Sequence, residues 1–205
     1  MSKIKITLPE NISEITLDQF QRFNKLNDRK LDDVAYGKRL IEIFTELKFR
    51  DVGKISFKDY EGILEQITIA LTKDAKFSNR FKIGDIEFGF IPNFDDITSS
   101  EYVDLSKYRD GLDNLHNMMA ILYRPITKSD SFGNYQIETY NGTKRYAELM
   151  KQTPMHLVQG ARGFFSSLAN ELQSYIQKSM VKEIVKEVEQ VDTSRNGGGM
   201  LHYQN

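Results

Sequence analysis

The chain has 205 residues, 40% hydrophobic and 28% charged, which is enough for one globular domain with a sizeable core or one domain plus an extension, and too short for two full domains. Twenty-eight Lys and Arg against 29 Asp and Glu leave a formal charge of -1, so no global field draws the chain to phosphate backbones or anionic membranes. Zero cysteines exclude disulfides, thiolate metal sites and cysteine nucleophiles, and three histidines leave little metal chemistry.

The opening MSKIKITLPENISEI carries Lys3 and Lys5, then Pro9, where a secretory signal needs a continuous apolar run, and this predicts a protein kept inside the cell. No stretch approaches the roughly 18 apolar residues of a membrane span. Ile4, Ile6 and Leu8 alternate, which predicts a short strand over Lys3 to Leu8 that Pro9 ends. Thr16 can cap a helix through Leu17, Phe20 and Phe23, and a second amphipathic helix is predicted from about Val34 to Leu47. Ser56 starts a third, with Phe57, Tyr60, Ile63, Leu64, Ile67 and Leu71 on one stripe.

The period then changes. Phe81 and Ile83 precede Gly84-Asp85, and Ile86, Phe88 and Phe90 follow, which predicts a two-residue II′ hairpin with the positive φ at Gly84. Thr98 can cap a short helix reaching Leu105, Asp110-Gly111 marks a turn, and Leu112 to Leu122 read as a helix that Pro125 terminates. In that reading Arg124 closes a helix end, where its charge suits the dipole. Residues 126–142 read as a loop with a small hairpin near Gly133-Asn134. A short helix over Tyr146 to Met150 precedes Pro154, and the last and longest helix carries Val158, Phe165, Leu172 and Ile176 on into Val181, Ile184, Val185, Val188 and Val191. The pattern as a whole predicts an α+β fold, a predominantly helical single domain over 1–177 with one or two hairpins, a helical extension over 178–191, and a flexible Gly-containing tail over 192–205.

Chemistry is harder to find. Neither GxxxxGK[ST] nor GxGxxG nor GxSxG occurs, which leaves nucleotide binding and seryl catalysis without support and no cofactor to name. His116, His156 and His202 are widely separated and none stands in HExxH, so no metal site is expected. Asp95, Asp96, Glu101 and Asp104 concentrate carboxylates that could hold a cation or act as an acid and base pair, yet Asp96 and Glu101 also suit the start of a helix at Thr98, the structural reading. The early basic cluster of Lys25, Arg29, Lys30, Lys38 and Arg39 is interleaved with Asp28, Asp32 and Asp33, which cancels most of its field. Tyr135 and Tyr140 are the aromatics expected to be exposed on a loop, and the apolar residues Val181 to Val191 extend past what a small domain needs for its own core. These two sets are the candidate protein-interface residues; a homo-oligomer is one arrangement that would cover the second, and folding back on the N-terminal helices is the other.

Six blocks occur in order over roughly residues 4–176: ITLPENISEITLDQFQRF, KRLIEIFTEL, FKIGDIEFGFIPNFDDITSSEYVDL, LHNMMAILYRPI, FGNYQIETYNGT and MKQTPMHLVQGARGFFSSLANEL. Together they resemble virion-morphogenesis proteins of tailed bacteriophages, those of crAss-like and related phages of Bacteroidota hosts. The resemblance implies a non-enzymatic role as a minor virion structural component or a tail-assembly chaperone. It further implies other phage structural or assembly proteins as partners, and a place in the host cytoplasm during assembly or in the virion. Two other classes stay open at this point: a DNA-binding accessory protein of the phage, and an enzyme of unfamiliar type using the acidic loop 95–104 or His116.

Overall fold

Short polar side chains start the principal helices in the computed structural model, which describes residues 6–26, 29–72, 76–93, 96–108 and 111–163. Thr16 accepts from the Gln19 amide at 3.2 Å while the Gln19 side chain accepts the Thr16 amide at 2.9 Å, a capping box that opens α1 (Leu17–Asn24). Asp32 serves α2 (Asp33–Thr45) through the Ala35 amide, and Ser56 serves α4 (Phe57–Leu71) through the Asp59 amide. Between these last two lies α3 (Phe49–Val52), a single turn. Thr98 and Glu101 repeat the reciprocal box, at 3.2 and 2.8 Å, ahead of α5 (Ser99–Tyr108).

Each of the first helices buries one stripe: Leu17 on α1, Ile41 and Phe44 on α2, and Ile63, Ile67 and Ala70 on α4. Phe57 does not follow its stripe and is 74% exposed. The reason is local: α2 begins beside Tyr60, whose hydroxyl reaches Val34 O, so one turn earlier nothing of α2 is left to cover Phe57.

Strands β1 (Arg80–Ile83) and β2 (Ile86–Phe90) form the expected hairpin, with Gly84 at φ 55° and no positive φ at Asp85, as a II′ turn requires. Beyond it the chain departs from the sequence reading. A 3-10 turn (Leu112–Asn114) leads into α6 (Leu115–Leu122), which stops at Leu122, and Tyr123 already belongs to β3 (Tyr123–Ser129). Pro125 is therefore a strand residue, paired opposite Phe88, and no helix terminator. β3 also pairs with β4 (Tyr135–Ile137), giving an antiparallel sheet in the order β1-β2-β3-β4. Pro125 lies just beyond the β3–β4 ladder, whose first pair is Ile126 with Ile137, and on that side its carbonyl accepts the Glu138 amide at 2.9 Å. Most of the expected loop over 126–142 is thus the sheet's second hairpin.

One face of the sheet is an aromatic layer in which Phe81 stacks on Phe88 and both Phe81 and Phe90 set edges against the fully buried Tyr123, with ring centroids 4.9 to 5.6 Å apart. α6 is buried at Leu115, Met118, Met119, Ala120, Ile121 and Leu122. After α7 (Ala147–Met150), residues 155–163 are helical, and the segment between them clasps the start of α1. Leu17 N donates to Thr153 O at 2.9 Å, Asp18 N to Lys151 O at 2.8 Å and Met155 N to Ile15 O at 2.7 Å, around a bridge between Thr16 and Pro154.

The fold is α+β, mostly helical with one small antiparallel sheet. The chain divides into two compact units, Met1–Arg162 and Gly163–Asn205, and the first is the one described above. Residues 6–8 form no strand, and the rest of the expected N-terminal strand lies outside the described residues, as do the extension over 178–191 and the tail over 192–205. Among the described residues no helix is long and apolar enough to cross a membrane.

Candidate functional site

The acidic positions singled out in the sequence do not converge on an open cleft. Glu101 is 3% exposed and Arg124, from the neighbouring strand β3, is 8% exposed. Their side chains meet as an ion pair, Arg124 Nη1 to Glu101 Oε1, at 2.6 Å. The other carboxylate oxygen, Oε2, is occupied by the Thr98 amide and hydroxyl, at 2.8 and 2.6 Å. Glu101 therefore has its acceptor sites filled by a guanidinium and by the helix cap it belongs to. Asp104, one turn further along α5, accepts from the Tyr140 hydroxyl, and the Tyr140 ring lies 5.7 Å from the Arg124 guanidinium carbon. Burial, and then the Asp104 carboxylate, push the Tyr140 phenol well above its ordinary range, so it stays a protonated donor. Asp96 accepts from the Asn93 side chain at 2.8 Å, and Asp95 lies outside the described residues.

This cluster fastens α5 to β3 and to the segment after β4. Because Glu101, Asp104 and Leu105 share the inward side of α5, Tyr102 and Val103 are turned outward, 49% and 63% exposed. Arg124 Nε is buried without a hydrogen-bond partner. The sequence reading had Arg124 closing a helix end; it is instead the buried cation of this pair, because the helix stops before it and the strand carries it under α5. The only sequence signal for that role was the alternation of Tyr123 and Pro125 toward one face with Arg124 toward the other.

His116 lies on α6 with Gln21 Nε2 3.1 Å from its Nδ1 and Asn117 Nδ2 3.1 Å from its Nε2. Two backbone carbonyls, Leu112 O and Asp113 O, each 2.9 Å from Gln21 Nε2, accept from that amide and fix its orientation against the ring. Burial, reinforced by Lys151, lowers its pKa. Among the described residues no group of three or more His, Asp or Glu side chains is placed to hold a metal ion.

Tyr135 and Tyr140, expected as exposed loop contacts, are both half-buried and hydrogen-bonded within the chain, Tyr135 because it stands on β4 and Tyr140 because its hydroxyl is held by Asp104 of α5. Tyr135 lies across Gly89 of β2, donates to Phe90 O at 2.9 Å, and carries the Arg80 guanidinium 4.5 Å above its ring. Gly89 is what makes room: a Cβ there would fall 2.4 Å from Tyr135 Cε2. Val181, Ile184, Val185, Val188 and Val191 lie outside the described residues.

Exposed apolar side chains are found elsewhere. Val34 and Phe57 are 59% and 74% exposed at the adjacent starts of α2 and α4, where Phe57 stacks on Tyr60. Phe132, at the tip of the β3–β4 hairpin, is 91% exposed. Its turn is built by Asp130, which accepts from the amides of Phe132 and Asn134, each at 2.9 Å, and from Asn134 Nδ2 at 2.7 Å. Gly133 supplies a φ of 90°, and Arg80 Nη2 donates to Gly133 O at 2.9 Å, tying the tip back to β1. The Asn134 amide and those backbone donors hold the Asp130 carboxyl below the usual range. No family model, no curated protein and no solved structure matches the chain.

Proposed function

We propose that this chain is a non-enzymatic bacteriophage morphogenesis protein that acts through protein contacts, as a minor virion component or a tail-assembly chaperone. The observation that carries the reading is the division of labour among its side chains. The carboxylates and the histidine that could do chemistry, Glu101, Asp104 and His116, are each engaged by partners of their own fold. Several large apolar side chains, Phe57, Val103 and Phe132 among them, are left facing outward on well-anchored elements. The sequence blocks that resemble phage morphogenesis proteins include Val103 and Phe132. A surface of this kind contributes by being covered.

Quantitative mass spectrometry of purified particles, together with deletion of the gene, tests the reading. A virion component copurifies at fixed stoichiometry, and a chaperone is present in infected cells and absent from particles while their yield depends on it. Particles of unchanged yield and infectivity from the deletion phage would refute both forms.

A further inference from the structure

Among the described residues Phe132 is the most exposed of the large hydrophobic side chains, and it stands on a turn that is built by hydrogen bonds of its own chain. Ordering a loop is one of the costs of association, and here the Asp130 and Arg80 hydrogen bonds have already met it. On the same hairpin lies a shallow cleft of about 350 Å³, lined by Lys128, Ser129, Asp130, Asn134, Tyr135 and Gln136, which Phe132 of the same molecule does not line. Knob and hole are thus a few residues apart on one hairpin. That is the requirement for an isologous contact, since a two-fold rotation can bring the knob of each copy over the hole of the other. The cleft wall also carries both a cation, Lys128, and an anion, Asp130, so two copies facing each other can place opposite charges together.

Resting on the protein-contact reading, we propose that the β3–β4 hairpin is a homodimer contact in which Phe132 of each copy fills the cleft of the other. A hairpin of this size buries less than the roughly 800 Å² per partner of a standard interface. The dimer is accordingly concentration-dependent.

Sedimentation velocity of the full chain, from micromolar to near-millimolar concentration, reads the association directly. Phe132→Ala removes the knob from an exposed position and leaves the fold intact by circular dichroism, and it weakens dimerisation by about tenfold or more. Gln136→Trp fills the hole and weakens it as well. Each variant alone retains no complete knob-and-hole contact, whereas an equal mixture of the two regains one and associates more strongly than either. The proposal is overturned by a full chain that stays monomeric throughout, by a dimer indifferent to Phe132→Ala, or by a mixture no better than its components. A monomer sinks the dimer and leaves the particle experiment standing; a dimer whose gene is dispensable for particles does the opposite.

Discussion

Arg124 and Glu101 show what a single buried pair contributes. Removing one member strands the other charge away from water, a loss of about 3–5 kcal/mol in such pairs, whereas neutralising both removes the attraction and the desolvation cost together. Arg124→Met should therefore be severely destabilising in urea unfolding, and Arg124→Met combined with Glu101→Gln, which keeps an oxygen for the Thr98 cap, should recover at least about 1 kcal/mol of that loss. A double variant as unstable as the single one would show that the charge of Glu101 is not what makes the site costly. Gly89 gives a second case. The Cβ of Gly89→Ala would meet Tyr135 at 2.4 Å and Ile126 at 2.9 Å, so overpacking of about 1–3 kcal/mol is expected, with a change in the tyrosine near-ultraviolet signal as Tyr135 is pushed from the Phe90 carbonyl. Neither residue declared its role in the sequence. A charged residue beside a proline has an ordinary explanation at a helix end, and a glycine within a strand is visible only as a gap until the ring that fills it is known.

At the scale of the element, what could be read was whatever is decided within four residues. Thr16, Ser56 and Thr98 cap helices because a hydroxyl and the amides three positions on need no distant partner, and Gly84 dictates its turn for the same reason. The reading failed at Tyr123 to Pro125. The preceding helix is buried at each position from Met118 to Leu122, so its apolar run has no polar face to mark its end, and only pairing with β2, far away in sequence, turns the next residues into strand. Helix glycines test the packing in opposite directions. Gly62 faces open space on α4, and Gly62→Ala should raise stability by about 0.5–1 kcal/mol. At Gly160, within residues 155–163, a Cβ would fall 2.7 Å from the Phe77 backbone, and because backbone cannot swing aside Gly160→Ala should lower the thermal midpoint instead. Equal effects at the two positions would mean that helix propensity and not contact governs both.

Acid response belongs to the whole molecule. Burial lowers the pKa of His116 and His156 from 6.5, so the native state prefers both rings neutral while the unfolded chain takes up protons more readily. Their contribution is intact above 6.5 and is lost as the pH falls below it through the lowered native values. Urea midpoints should thus decline from about pH 7.5 to about pH 5.5, and less steeply in His116→Gln. An identical slope in that variant would remove His116 from the account. Carboxylates held low by neighbouring lysines, Asp51 by Lys54 and Glu148 by Lys151, act only further down, below 3.8 and 4.5. The α+β class was legible from alternating periods, yet the clasp between Ile15 to Asp18 and Lys151 to Met155 was not, because mutual recognition by backbone amides and carbonyls leaves no trace in side-chain pattern. That clasp also sets a timetable. A chain leaving the ribosome amino end first can pack α1 on α2 through Phe23 and Phe44, but it cannot close the clasp until residues 151–155 have cleared the exit tunnel, so the backbone of its earliest-made helix is among the last to be secured.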